Sequence, residues 1–377
     1  MANLKRKEFN PVDHGLQPLF RLTNYAELKG WGCKVPQSIL NNLLEEFQKN
    51  DGDKDDSGCN SSSKIGIGLD SAVIPIKDTK FFLLQTCDYF YPIVDDPFMM
   101  GRITCANVVS DLFAMGVTKI DSLQILLKNS TQMNKDEINV ITPLIVDGFK
   151  FAASEIGCKV HISTVIENPW STIGGVATSV CLSNEFIMPT NAQVGDVIIL
   201  TKALGTQIAC SVHHWIDVPD KWSKIKDIIK KEELDKLLQQ AINSMSRLNM
   251  VAANLMHKYD AHSCTDVTGF GILGHAQNLV KFQTNKNLKF IIDKLPVFQN
   301  ANIIAKACNM SKLEKGISPE TSGGLLISMN EENAKLFCKE IETIEKEKAW
   351  IVGRVVEGSG TAELSTAPEI IQAIINS

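Results

Sequence analysis

The chain has 377 residues, 44% hydrophobic and 21% charged, with a formal net charge of −5. That length and apolar content suffice for two globular domains, each with its own core. The acidic balance argues against a protein that works by neutralising nucleic-acid phosphates. No run of eighteen apolar residues is present to span a bilayer, and residues 1–15 carry basic side chains without the apolar stretch of a secretory signal. A soluble, cytoplasmic protein with neither a nucleic-acid nor a membrane partner is therefore expected. The ten cysteines form no CxxC pair and no zinc-spaced cluster, so most are read as buried thiols.

Along the chain, the first unusual segment is Gly30-Trp31-Gly32-Cys33-Lys34, an indole between two glycines that supply backbone freedom. An extended conformation here would put Cys33 on the same face as Trp31, about 7 Å away. Residues 49–63 are polar, charged and poor in apolar side chains, as in a solvated loop. Asp51, Asp53 and Asp55 imitate a calcium loop, but Asp56 replaces its glycine and Ser62 its glutamate. A strand is predicted at 81–87 and a helix at 104–115, closed by Gly116. A helix at 143–156 and strands at 159–165, 175–182 and 197–202 follow. A turn at 191–195 places a boundary near residue 190. This gives an N-terminal segment with its glycine-containing loop (1–63), a domain at 64–190 and a C-terminal domain at 191–377. In the last of these, 221–259 reads as mostly helical and 288–292, 324–328 and 350–356 as strands. The alternation lacks a clean βαβ rhythm, which favours α+β layers over a doubly wound sheet.

Four aspartates sit at or near element ends with distinctive neighbours: Asp70 in Gly66-Ile67-Gly68-Leu69-Asp70, Asp88 after Cys87, Asp111 after Ser110, and Asp266 after Thr265. Carboxylates are the hard oxygen ligands that magnesium requires when it bridges protein to substrate phosphates. Gathered together, they would repel by about 4 kcal/mol per pair at intermediate dielectric and so would need a cation. No GxxxxGK[ST] is present, which excludes a P-loop. Gly269-Phe270-Gly271-Ile272-Leu273-Gly274 is a literal GxGxxG with Asp293 downstream, yet residues 259–267 are too polar for the central strand that a dinucleotide fold requires.

Seven segments together resemble the selenophosphate synthetases (selenide, water dikinases), with the eukaryotic members as the nearest match. They are GWGCKVP at 30–36, GIGLD at 66–70, QTCDYFYPIVDDPFMMGRI at 85–103, SDLFAMGV at 110–117, TKALGTQ at 201–207, TDVTGFGILGHAQNL at 265–279 and PETSGGLL at 319–326. The resemblance implies a two-domain α+β fold shared with aminoimidazole ribonucleotide synthetase, a homodimer, and ATP with Mg2+ bound largely by the N-terminal domain. It implies a reaction of ATP, selenide and water that yields selenophosphate, orthophosphate and AMP. Carried over by position, Asp70, Asp88, Asp111 and Asp266 match the magnesium and nucleotide carboxylates, Gly68 and Leu69 the turn beside the phosphates, and Lys34 the lysine of a mobile loop. A compact ammonium there would neutralise the transferring phosphoryl group.

Two positions depart from that pattern. Trp31 stands where active synthetases carry cysteine or selenocysteine, and indole supplies no nucleophile; Cys33 is two residues on. The family's Gly-Gly-[His/Gln]-[Ser/Thr] nucleotide loop falls on Ile162-Ser163-Thr164-Val165, where a β-branched side chain resists the backbone freedom that phosphate approach uses. Ser163 and Thr164 still offer hydroxyls. Three readings follow: a paralogue that binds Mg-ATP with weak or no selenide activity; an active synthetase in which residue 31 is a recoded UGA; and a non-catalytic dimer that regulates a partner such as an active family member.

Overall fold

The computed structural model describes residues 7–35, 39, 42, 70–162 and 164–373. The described residues form two six-stranded sheets with helices packed on them. The first half runs β1 (Ala72–Pro75), β2 (Phe81–Phe90), α1 (Pro97–Ala114), β3 (Ser122–Ser130), α2 (Lys135–Glu155), β4 (Val160–Ile162), β5 (Ile166–Asn168) and β6 (Thr172–Leu182). Its sheet has the order β1-β2-β6-β3-β4, with β5 also pairing β3. Strands β4 and β5 run parallel to β3, and the other pairings are antiparallel.

The second half runs β7 (Val197–Leu200), α3 (Thr206–His213), α4 (Pro219–Trp222), α5 (Lys231–Ser246), α6 (Met250–Lys258), β8 (Ser263–Asp266), α7 (Gly271–Phe282), β9 (Leu288–Phe298), α8 (Ala301–Ala307), β10 (Leu325–Met329), α9 (Glu331–Glu345), β11 (Trp350–Glu357) and β12 (Thr361–Ala373). The sheet order is β12-β9-β11-β7-β10-β8, antiparallel except for β12 on β9. No helix among the described residues is long and apolar enough to cross a membrane.

Helix α1 organises the site. Asp96 caps it by accepting from the Phe98 and Met99 amides, and Pro97 pre-sets the first helical position. It packs on β2, β6 and α2 of the first half and on β8, α5 and α6 of the second. Fifteen of its 18 residues are buried, so it has no solvent face and shows no amphipathic stripe. Apart from Arg102, the polar residues that it carries, Thr104, Asn107, Ser110 and Asp111, are buried with the rest.

Several boundaries differ from the sequence reading. Helix α1 begins seven residues before the expected position 104, at the Asp96–Pro97 start signal that the sequence reading did not use. Helix α2 begins at Lys135 with an Asn134–Glu137 capping box and contains Pro143, which the sequence reading took as its start. Of the strand expected at 159–165, Val160–Ile162 forms, and a second short strand follows outside it at Ile166–Asn168. The polar segment Ser263–Asp266, rejected as a buried central strand, is a fully buried strand, but an antiparallel edge strand that cannot be the core of a dinucleotide fold. Gly68, Leu69, Ser163 and the loop 49–63 lie outside the described residues.

Candidate active site

Three aspartates converge in the crevice between the two halves. Asp70 precedes β1, Asp111 lies near the end of α1 and Asp266 ends β8, and one carboxylate oxygen from each lies within 4.8 Å of the others. The site therefore exists only when the first sheet, α1 and the second sheet are all in place. Thr265 donates its hydroxyl to Asp70 Oδ1 at 3.0 Å, and Thr86 donates to Asp111 Oδ2 at 2.5 Å. Asp266 Oδ2 is buried with no hydrogen-bond partner among the described residues.

Removal from water, followed by the Asp266 charge, pushes the Asp70 carboxyl up to about 8. Burial and the charges of Asp88, Asp266 and Asp70 hold Asp111 well above the ordinary carboxylate range. Burial also raises Asp266, with the Ser110 hydroxyl and the Lys34 and Lys202 ammonium groups working against that rise. Clustered like charges and an orphaned carboxylate oxygen are what a hard divalent cation relieves, and an all-oxygen donor set suits magnesium. These residues fit such an ion.

Asp88 stands beside the three rather than among them. It lies on the inward face of β2 with Leu84, Thr86 and Phe90, and its Oδ2 accepts from Asn107 Nδ2 at 3.0 Å. Burial pushes its carboxyl up to about 6 while Lys34 opposes the rise. Asn107 is fully buried on α1, and its Oδ1 accepts from Trp31 Nε1 at 2.8 Å and from the Ser322 amide at 3.1 Å. One amide thus ties the N-terminal segment, a carboxylate of the first sheet and a loop of the second half together.

Trp31 is 6% exposed and lies against Phe90 with ring centroids 5.5 Å apart. Gly30 permits this entry: its φ is +48°, and a Cβ there would meet Thr321 Oγ1 at 2.6 Å and Ile93 at 2.7 Å. The segment Trp31–Cys33 is a 3-10 turn, not the extended run that the sequence reading assumed, so Trp31 and Cys33 do not share a face in the manner expected. The Cys33 thiol donates instead to Gly30 O at 3.4 Å, and burial pushes it up rather than toward thiolate. Lys34 extends its ammonium 4.4 Å from the Trp31 ring centroid and 5.0 Å from that of Phe270, and donates to Thr268 Oγ1 at 3.3 Å.

Two buried charges brace the crevice from the second half. Lys202 donates to Arg247 O at 2.7 Å and Ser322 O at 2.9 Å, and burial holds its ammonium well below the usual lysine range. Glu320 accepts from the Gly205 and Thr206 amides and the Thr206 hydroxyl, so a carboxylate closes the N-terminus of α3. The sequence reading missed Thr86, Asn107, Lys202, Thr268, His275 and Glu320. Five of them lie in segments quoted for the family resemblance, and the sixth, Asn107, lies on the same helix as Asp111. Of the residues expected at the nucleotide loop, Thr164 is exposed beside β4, and Ile162 ends β4 half-exposed in parallel register with Ile125.

The two halves, each a six-stranded sheet packed against the buried α1, match the two domains of AIR synthase related proteins. The model of their N-terminal domain matches residues 68–188 and that of their C-terminal domain matches residues 193–364. Human selenide, water dikinase 2 is 45% identical over 392 residues, covering 98% of this chain and 87% of the relative. The probable selenide, water dikinase of Caenorhabditis elegans is 45% identical, covering 92% and 91%. Among solved structures, AaThiL complexed with AMPPCP and TMP superposes with a TM-score of 0.63 at 17% identity, over 88% of this chain and 96% of that one. The chain belongs to the selenide, water dikinase family, with the two-domain α+β fold expected from its sequence.

Proposed function

We propose that the crevice binds ATP with Mg2+ and transfers its phosphoryl groups mainly to water, with weak or no selenide-dependent activity. The observation that carries this reading is the convergence of Asp70, Asp111 and Asp266, with Asp88 and Lys34 at their side. Asp70, Asp111 and Asp266 would hold the metal, which when bound neutralises phosphate charge. Lys34 places a positive charge beside these carboxylates, where it would meet the negative charge that develops as the phosphoryl group moves. Gly68, Leu69, Ser163 and Thr164 would complete the nucleotide contacts. The family name, dikinase, and the AMPPCP in the AaThiL neighbour support nucleotide use. The buried indole at position 31 and the protonated character of Cys33 support the loss of the selenide step, because neither offers a nucleophile.

The same reading includes a homodimer. The outer face of the first sheet carries Phe81 and Tyr89 on β2 and Val180 on β6, all exposed, with Ile166 at its edge. A second copy of this chain would cover these side chains.

The test is anaerobic turnover of Mg-ATP by the purified chain with and without selenide, following AMP by chromatography and selenophosphate by phosphorus NMR. Selenide-independent hydrolysis is the expected result. Selenide-dependent AMP with selenophosphate would overturn it in favour of an active synthetase and would direct attention to whether codon 31 is UGA or UGG. No turnover, with a heteromer formed on mixing with an active family member, would mark a regulator. Asp111→Ala should weaken magnesium-dependent ATP binding at least tenfold, and unchanged affinity in calorimetry would sink the metal assignment.

A further inference from the structure

Lys34 is held through a hydrogen-bonded chain whose direction can be read from its members. His275 lies in the second turn of α7, 4% exposed, with its ring 5.5 Å from that of Phe270. Its Nε2 meets two groups: the Phe270 backbone amide at 3.5 Å and Thr268 Oγ1 at 3.2 Å. An amide N–H can only donate, so Nε2 carries a lone pair and the ring proton resides on Nδ1. The Thr268 hydroxyl must then also donate to Nε2. Only lone pairs of Thr268 Oγ1 remain for Lys34, whose ammonium can only donate. The backbone of Thr268 is fixed as well, because its carbonyl accepts from the Gly271 and Glu320 amides.

The geometry points to His275 as a positioning residue for the reaction: by fixing the Thr268 hydroxyl as a donor, it makes Thr268 an acceptor that aims the Lys34 ammonium between the Trp31 and Phe270 rings. This rests on the reading of Lys34 as the cation beside the transferring phosphoryl group. Without the imidazole acceptor, the Thr268 proton is free to turn toward Lys34, and the hydrogen bond that aims the ammonium loses its fixed direction. The two aromatic faces and the nearby charges of Asp70, Asp88 and Asp266 would then hold it without a fixed direction.

The full-length chain, labelled with 15N-histidine, tests the direction of the chain without any need for turnover. The expected spectrum places the His275 proton on Nδ1, assigned by the loss of its signals in His275→Phe. A proton on Nε2, or an imidazolium at neutral pH, overturns the inference. In 15N-tryptophan-labelled protein, the Trp31 indole resonance, assigned by Trp31→Phe, should shift in the same direction for Lys34→Met, Thr268→Val and His275→Phe. A shift for Lys34→Met with none for His275→Phe also overturns it.

In Mg-ATP turnover, His275→Phe and Thr268→Val should each lower kcat about tenfold or more with KM within about twofold, and neither should lower it further in a Lys34→Met background. An equal loss in both backgrounds marks a merely structural histidine and overturns the proposal. If the NMR signatures hold while Lys34→Met leaves kcat unchanged, the positioning chain stands and the phosphoryl role of Lys34 falls.

Discussion

Asn107 shows how much one side chain decides here. Its amide uses three bonds to hold Trp31, Ser322 and Asp88. Asn107→Leu keeps the branched shape but strands two buried donors and removes the restraint on Asp88. It should cost about 3 kcal/mol in urea unfolding, and a loss below 1 kcal/mol would mean that water replaces the amide. Trp31→Cys removes most of a buried indole and should cost about 3 kcal/mol as well. The carboxylates set the pH response. Asp70 and Asp88 are raised in the folded state, to about 8 and about 6, so each favours folding most below its unfolded value near 4 and loses that contribution as pH rises through the folded value. The metal-free protein should therefore lose thermal stability between pH 5 and about 8.5, and Mg2+ with ATP should restore more at the upper end than at the lower. Asp70→Asn should flatten the profile, and a stability that rises over that range would contradict the buried cluster.

At the scale of elements, α1 and α2 cross through a reciprocal glycine contact. A Cβ on Gly101 would fall 2.0 Å from Ile145 O, and one on Gly148 would fall 1.8 Å from Phe98 O. Both clashes are with backbone, which cannot swing aside, so Gly101→Ala or Gly148→Ala should cost about 2–3 kcal/mol and shift Asn107 and Asp111, which ride on α1. A thermal melt with Mg-ATP titration checks both effects. The strand at 81–87 was legible from its apolar run, and it extends to Phe90 because Asp88 is buried there for the site's sake. Ser263–Asp266 was not legible, since its polar residues are buried by hydrogen bonds to elements distant in sequence rather than by their own hydrophobicity. Strand β12 was missed because its exposed edge shows only a weak alternation, interrupted by Pro368. The four aspartates could be picked out by their motifs, whereas Asn107 and His275 gain their roles from partners, Ser322 and Lys34, that are more than 200 residues away in the chain.

Over the whole molecule, the crevice requires both halves, so unfolding either should abolish metal binding, and one cooperative transition is expected for the loaded protein. The outer face of the first sheet gives a separate test of assembly. Val180→Glu places a charge in the middle of that face, 44% exposed in the single chain. It should leave a monomer by light scattering while the isolated fold keeps its circular dichroism. A dimer that persists would place the contact elsewhere.

The packing of Trp31 also bears on the history of the chain. A thiol at position 31 would leave the space between Phe90 and Lys34 empty and the Asn107 oxygen short of a donor. Placing a thiol at position 31 in one step therefore gives a less stable protein unless the neighbours change with it. If the proposed loss of selenide activity holds, the exchange at position 31 acts as a ratchet, and a gain of that activity must be sought by changing the surroundings along with the residue.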